Sequence, residues 1–355
     1  MKLLLISVLS QASKGGIAVW TDGFLKGCDS FGISCDLVNT EMVGKRRSQG
    51  SARRNLLDEF KRTKRIFRDL KQSLSNQKTS YDLAHLNTSC GTFGLFRDYL
   101  IAKRIRKAGI PLVTHFHCDI PYWIHNSINK KYLKKLLLQS NKILVLCDSS
   151  QDYLKKEFQV SCEKISNFVD DALITATPKE TATKIQTALF VGRTTLEKGA
   201  KELYELASRF PAIRFNFIGE IGREASSWKK PTNVFLLGSL SQSEVLEQMD
   251  RSDLFISLSH SEGFSMSLLE AMARGLPSVV TNTGANQEIL EESCGIVVPI
   301  GNVDQAVLAL QRLESAELRR SMSLHATEKI RSYYTISIVL TTLTQQVYTK
   351  IYKKK

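Results

Sequence analysis

The chain is predicted to be an α/β protein built from two doubly wound domains facing across a cleft. Apolar strand-like runs alternate with amphipathic helical stretches, 355 residues exceed what one hydrophobic core usually organises, and a polar stretch poor in apolar anchors interrupts the alternation near the middle. Taken in order, Leu3 to Val8, Ser34 to Val38, Asp82 to Leu86, Leu112 to Phe116 and Lys142 to Leu146 read as strands. Ile17 to Phe31, Leu56 to Leu74, Leu95 to Lys107 and Lys131 to Gln139 read as the helices between them. That order implies a parallel sheet covered on both faces.

The first domain is assigned to residues 1–171 and the linker to 172–186, where Ile174 to Lys184 is polar and short on anchors. A second α/β series occupies 187–334, with strands at Thr187 to Val191, Arg214 to Ile218, Val234 to Leu237, Leu254 to Leu258, Ser278 to Thr281 and Gly295 to Val298. Residues 335–355 carry helical periodicity from Ile336 to Tyr352 and are expected to pack back on the first domain. Open sheets of this type bind ligands beyond the C-terminal ends of their strands, so the cleft is the expected site.

The composition is that of a soluble globular protein, and its most apolar stretches fall far short of a bilayer-spanning helix. Met1-Lys2 and the apolar run to Leu9 have the outline of a signal peptide. Gly15-Gly16 and an amphipathic helix follow at βα spacing, however, so a buried first strand is the preferred reading. Seven scattered cysteines without a CxxC pair point to a reducing cytosol and away from a disulfide framework or structural zinc. The net charge of +14 is uneven. Residues 1–170 hold 28 basic and 15 acidic side chains, whereas 171–355 hold 21 and 20. Lys45 to Lys71 alone carries eleven basic residues interleaved with Leu56, Leu57, Phe60, Ile66, Phe67 and Leu70. Such a stretch suits an anionic membrane surface, and equally a solvated helix packed on its own domain. Nucleic acid is not an expected partner, because aromatic residues do not clearly interleave with the charges at a binding surface.

The segment from Glu262 to Pro277 places two carboxylates, Glu262 and Glu270, eight positions apart around a helix start. Met266, Leu269, Ala273 and Leu276 set the helical period, Ser265 and Ser267 stand in front as caps, and Gly275-Leu276-Pro277 is the stop. Eight residues span roughly 12 Å if helical, against about 5 Å between the acid and nucleophile of a retaining glycosidase. Flanking carboxylates with the amide end of a helix between them suit one elongated ligand carrying phosphate, such as a nucleoside diphosphate sugar. Phe190 to Gly199 leaves a strand with Gly192 at the turn and sets Arg193 and Lys198 where two cations would stabilise a departing diphosphate, unless they are ordinary surface charges. Gly15-Gly16-Ile17 is a second close-approach loop, or simply a turn. His115, His117 and Asp119 alternate onto one face at the end of a strand. A metal site is weighed there against a histidine bonded to a sugar hydroxyl and against a structural histidine; no further cluster completes a metal set, and none is expected.

Together these segments resemble retaining glycosyltransferases of family 4 with the GT-B fold of two Rossmann-like domains. The resemblance rests on Gly192-Arg193 with Lys198-Gly199, Phe217-Ile218-Gly219-Glu220, Val234 to Gly238, Ser252 to Ile256, the Glu262 to Pro277 segment and Asn286-Gln287-Glu288-Ile289, with Gly15-Gly16-Ile17 and His117 in the first half. It implies that Glu262 contacts the donor sugar, Glu270 the ribose, and Arg193 and Lys198 the diphosphate. Gly192, Gly219 and the backbone at Ser265, Met266 and Ser267 would help hold the donor, Gly16 would approach it from the first domain, and His117 would contact sugar or acceptor. Ser265 and Cys118 depart from the family pattern, which puts a glycine at the first position and commonly a small residue at the second.

The activity so implied is transfer of a sugar, with retention, from a nucleotide diphosphate sugar to a hydroxyl of a glycan or polyprenyl-linked acceptor in cell-envelope polysaccharide assembly. A UDP-sugar is the expected donor, no metal or other cofactor is expected, and the location is cytoplasmic, peripheral on the inner face of the membrane. A sugar-nucleotide epimerase, a phosphorylase or a non-catalytic partner subunit on the same fold are the alternatives.

Overall fold

The computed structural model describes residues 1–9, 15–42, 56–75, 80–176 and 181–352, apart from the side chains of Leu56 and Glu292. The chain divides into two compact units, one running to Phe168 and resuming at Ile336, the other spanning Val169–Thr335.

In the first unit the elements follow as β1 (Lys2–Ser7), α1 (Gly16–Gly27), β2 (Ser34–Asn39), α2 (Leu56–Ser75), β3 (Leu83–Thr88), α3 (Thr92–Lys107), β4 (Leu112–Phe116), α4 (Ile120–Trp123), α5 (Ser127–Leu137), β5 (Lys142–Val145), α6 (Asp148–Phe158) and β6 (Glu163–Lys164). The strands pair in parallel in the order β2-β1-β3-β4-β5-β6. Strand side chains alternate between two cores. Leu4, Ile6, Leu86 and Phe116 pack with Ile66, Leu70, Ile101 and Leu133, whereas Leu3, Leu5, Val113 and Leu144 pack with Trp20 and Phe24. Each fully buried leucine contributes about 2 kcal/mol, so the covering helices are held mainly by these stripes.

Helix α2 docks through Ile66 and Leu70, and its Arg62 and Arg65 donate to the carbonyls of Thr40, Asn39 and Glu41. Arg62 and Arg65 thus bond to their own unit and Arg68 pairs with Asp69, while Leu57 and Phe60 stand 67% and 70% exposed beside exposed Lys61, Lys64, Arg68 and Lys71. Lys45, Arg46, Arg47, Arg53 and Arg54 lie outside the described residues.

The second unit runs β7 (Thr187–Val191), α7 (Ala200–Arg209), β8 (Arg214–Ile218), β9 (Val234–Gly238), α8 (Gln242–Arg251), β10 (Leu254–Ser257), α9 (Met266–Ala273), β11 (Ser278–Thr281), α10 (Asn286–Cys294), β12 (Gly295–Val298), α11 (Val303–Arg312) and α12 (Ala316–Tyr333). Its parallel sheet has the order β12-β11-β10-β7-β8-β9, the doubly wound order of dinucleotide-binding domains. Phe190, Phe215 and Phe217 pack with Leu203, Ala207 and Leu310 in its core. In the stretch read as a linker, the Thr175 amide donates to the Ala273 carbonyl, and residues 177–180 lie outside the described residues.

The last helices, α13 (Ile336–Thr342) and α14 (Thr349–Tyr352), flank a π-helical segment, Leu343–Tyr348. Leu340, Leu343, Val347 and Tyr348 are buried in the first unit against Trp20 and Phe24. Among the described residues no helix is long and apolar enough to cross a membrane.

Candidate functional site

The second sheet reverses its strand order between β7 and β10, and a doubly wound sheet opens its ligand crevice at such a reversal. The loops leaving these two strands carry Gly192, Arg193, Lys198 and Glu262. Gly219, at φ 138°, allows the turn after β8 to close on the turn after β7, because a Cβ there would sit 2.1 Å from the Gly192 carbonyl oxygen. The Gly192 amide in turn donates to Ile218. Gly199, at φ 67°, has the same role at the start of α7, where a Cβ would lie 1.9 Å from the Leu258 carbonyl oxygen. The close approach sets Lys198 beside the loop that follows β10. Its ammonium donates to Glu262 Oε1 at 2.7 Å, and both side chains are largely buried, 19% and 16% exposed.

Further contacts hold that loop. The His260 amide donates to the Glu197 carbonyl, the His260 ring bonds Glu202 at 2.7 Å, and the Glu262 amide donates to Thr283 Oγ1 at 3.2 Å. Ser259 Oγ donates to the same Glu262 oxygen at 2.9 Å. Arg193 lies 3.6 Å from Glu197. Both cations of the β7 loop thus have carboxylate partners within their own unit.

Helix α9 begins with Ser265 as its N-cap, whose Oγ accepts from the Leu268 amide. The expectation of two caps is corrected: Ser267 is the second helical residue and its Oγ lies 3.3 Å from that of Ser265. Leu276 lies beyond the helix, which ends at Ala273 with Gly275 left-handed at φ 68°. The first amides of the helix, at Met266 and Ser267, have no acceptor among the described residues and sit at its positive end. Glu270 lies one turn further on. Burial pushes its carboxyl up to about 7, offset in part by the Gln242 side chain.

In the first unit, Gly16 is the exposed first residue of α1, capped by Gly15 in extended conformation without a side-chain bond. His117 follows β4, and its Nε2 lies 3.0 Å from Asn87 Oδ1. His115 and His117 share a face, with ring centroids 4.0 Å apart, and Trp20 packs on both and on His85. Asp119 does not join them, contrary to simple alternation. The strand ends at Phe116, and Asp119 accepts instead from Ser149 Oγ at 2.7 Å. Among the described residues no group of three metal-ligand side chains is placed to hold a metal. Burial holds His85 and His117 down to about 3 and His115 well below its ordinary value, so all three rings are neutral.

Within the second unit Lys198 and Glu262 are therefore in direct contact, Arg193 shares the Lys198 loop, and Ser265, Met266 and Ser267 open the helix that carries Glu270. Residues the sequence did not single out complete the picture. Ser259, His260 and Thr283 fix the Glu262 loop, and Asn87 holds His117. A serine or asparagine at a strand end has no periodic signature, so only its partner reveals it.

Two family profiles match the chain: one described as Glycosyltransferase Family 4 over residues 14–173, the other as Glycosyl transferases group 1 over residues 175–329. A 2-deoxystreptamine N-acetyl-D-glucosaminyltransferase of Niallia circulans is 25% identical over 294 residues, which is 74% of either chain. An N,N'-diacetylbacillosaminyl-diphospho-undecaprenol alpha-1,3-N-acetylgalactosaminyltransferase of Campylobacter jejuni is 28% identical over 218 residues, 59% of this chain and 55% of that one. Among solved structures, Anabaena Alr3699/HepE in complex with UDP and glucose superposes with a TM-score of 0.73 at 15% identity, covering 98% of this chain and 100% of that one.

Proposed function

Because the chain belongs to glycosyltransferase family 4, with the GT-B fold of two Rossmann-like domains, we propose that it moves a sugar with retention from a nucleotide diphosphate sugar to a hydroxyl of a glycan or polyprenyl-linked acceptor in cell-envelope polysaccharide assembly. The observation that carries the reading is the Lys198–Glu262 pair next to the open amide end of α9. In the free protein the pair neutralises two largely buried charges. A donor diphosphate would take over Lys198, joined by Arg193 and the Met266 and Ser267 amides, and release Glu262 toward the sugar hydroxyls. Glu270 would accept from the ribose. His117, in the first unit, would meet a hydroxyl of sugar or acceptor, and Gly16 would approach the donor.

The bond from the anomeric carbon to the diphosphate breaks as a bond to the acceptor oxygen forms on the same face. The departing phosphate takes the acceptor's proton. The cations and the helix end supply the positive charge that a divalent metal would otherwise provide, so EDTA should leave turnover unchanged. The Anabaena protein's complex with UDP supports a UDP-sugar as donor, and the undecaprenol diphosphate in the Campylobacter enzyme's name supports a lipid-linked acceptor. The exposed basic and apolar face of α2 supports a peripheral position on the cytoplasmic side of an anionic membrane.

A panel of nucleotide sugars, followed for slow donor hydrolysis and then for transfer with the product anomer read by NMR, tests the reading. One UDP-sugar should be consumed with retention, and Lys198→Ala should slow its consumption at least 100-fold. No consumption of any donor, or an inverted product, would overturn it.

A further inference from the structure

We propose that Asn87 is the positioning residue for His117: a one-way chain of hydrogen bonds anchored at the Ile17 carbonyl fixes His117 as the Nε2–H tautomer, leaving Nδ1 as a bare acceptor. The direction follows from counting hydrogens. Thr21 Oγ1 lies 2.7 Å from the Ile17 carbonyl oxygen, which can only accept, so the one hydroxyl hydrogen of Thr21 goes there. Ser7 Oγ, 2.6 Å from Thr21 Oγ1, must then donate to it. Ser7 has no hydrogen left for Asn87, so at 2.8 Å it is the Asn87 amide nitrogen that donates to Ser7 Oγ.

This orientation turns Asn87 Oδ1 toward the histidines, 3.0 Å from His85 Nε2 and 3.0 Å from His117 Nε2. A carbonyl oxygen only accepts, so both rings carry their hydrogen on Nε2. His85 is neutral, its Nδ1 is bare, and it accepts from the Tyr348 hydroxyl at 2.6 Å. His117 is neutral by the same burial, and its Nδ1 is buried with no partner among the described residues. The helix that begins at Gly16, the ends of β1 and β3, and the π-helical segment Leu343–Tyr348 thereby share one polarity.

A bare nitrogen accepts from a hydroxyl and repels a carbonyl or phosphate oxygen, so the device would select a hydroxyl at that position. Only this last step rests on the proposed function. The tautomer stands or falls without it.

Long-range proton–nitrogen NMR spectra of the full chain labelled with 15N-histidine, assigned with His85→Gln and His117→Gln, read the tautomers at neutral pH. The wild type should show a pyrrole-type Nε2 and a pyridine-type Nδ1 at His117. Thr21→Val keeps the side-chain shape but removes the anchor, freeing Ser7 to donate to Asn87, and should bring up the Nδ1–H form at His117. Thr21→Ser should restore the wild-type pattern. Ser7→Ala interrupts the same chain and should also bring up the Nδ1–H form if Thr21→Val does not fold. An Nδ1–H signal at His117 in the wild type, or spectra of folded Thr21→Val or Ser7→Ala identical to it, would overturn the proposal. Wild-type transfer by His117→Ala, with the tautomer as stated, would instead remove His117 from the ligand and leave its positioning intact.

Discussion

At the scale of single residues, the raised Glu270 carboxyl couples stability and ligand binding to pH in opposite directions. Its ordinary value of 4.5 moves to about 7 through burial. Below pH 4.5 the group is neutral whether folded or unfolded, and its full stabilising effect is present. Between 4.5 and 7 the unfolded chain ionises first, so stability falls, and above 7 the loss is complete, with a ceiling of about 3 kcal/mol. Glu270→Gln should therefore match the wild-type melting temperature near pH 4.5 and exceed it near pH 8 in differential scanning fluorimetry. Ribose hydroxyls would favour the carboxylate, so wild-type affinity for UDP should rise between pH 6 and 8 in titration calorimetry, while the variant stays weak and flat. The Lys198–Glu262 pair behaves differently. Glu262→Gln leaves the largely buried ammonium without its charge partner, and an uncompensated buried charge costs several kcal/mol. Urea unfolding should show a loss of about 3 kcal/mol for Glu262→Gln and clearly less for the double variant Glu262→Gln with Lys198→Met.

At the scale of elements, Gly199 and Ser265 frame the site from two helix starts. Gly199→Ala puts a Cβ 1.9 Å from the Leu258 carbonyl oxygen in a left-handed conformation, so α7 must move away from β10. A loss of about 3 kcal/mol in urea unfolding, with weakened UDP binding as Lys198 moves, is the expected outcome. Ser265→Ala removes only an N-cap and should cost about 1 kcal/mol. These elements also mark how far the sequence can be read. Strands such as Leu112–Phe116 and Thr187–Val191 are legible to the residue, because buried apolar runs end where turn residues begin. The two-residue edge strand Glu163–Lys164 has no such run, and its place depends on pairing with β5. The Glu262-to-Glu270 spacing is legible because a helix start has a chemical signature, whereas the choice of Ser265 over Ser267 as cap depends on backbone angles. Asp119 shows the limit of alternation: once a strand ends, period two no longer says which way a side chain turns. Asn87 and Ser259 are invisible for a related reason, since their roles lie in partners far along the chain.

At the scale of the whole molecule, an excess of thirteen positive charges in residues 1–170 stands against one in residues 171–355, and α2 shows where part of it goes. Arg62 and Arg65 cap the end of β2 from within, whereas Lys61, Lys64, Arg68 and Lys71 share the exposed face that begins with Leu57 and Phe60. Apolar side chains at one end of a cationic stripe fit a helix lying along an anionic leaflet, each lysine near the surface contributing about 1 kcal/mol at physiological salt. Reversing three of them, Lys61→Glu, Lys64→Glu and Lys71→Glu, removes about 3 kcal/mol of attraction, roughly 100-fold in partitioning, and adds repulsion on top. The wild type should float with vesicles containing anionic lipid and stay behind with neutral ones, and raised salt should release it. The triple variant should not float, and Phe60→Ser should float less than the wild type at the same salt. These substitutions lie on the solvent face of α2, away from Ile66 and Leu70, so far-UV circular dichroism and consumption of a soluble donor should be unchanged. Equal flotation with neutral and anionic vesicles would show that the basic half of the chain answers to something other than lipid charge.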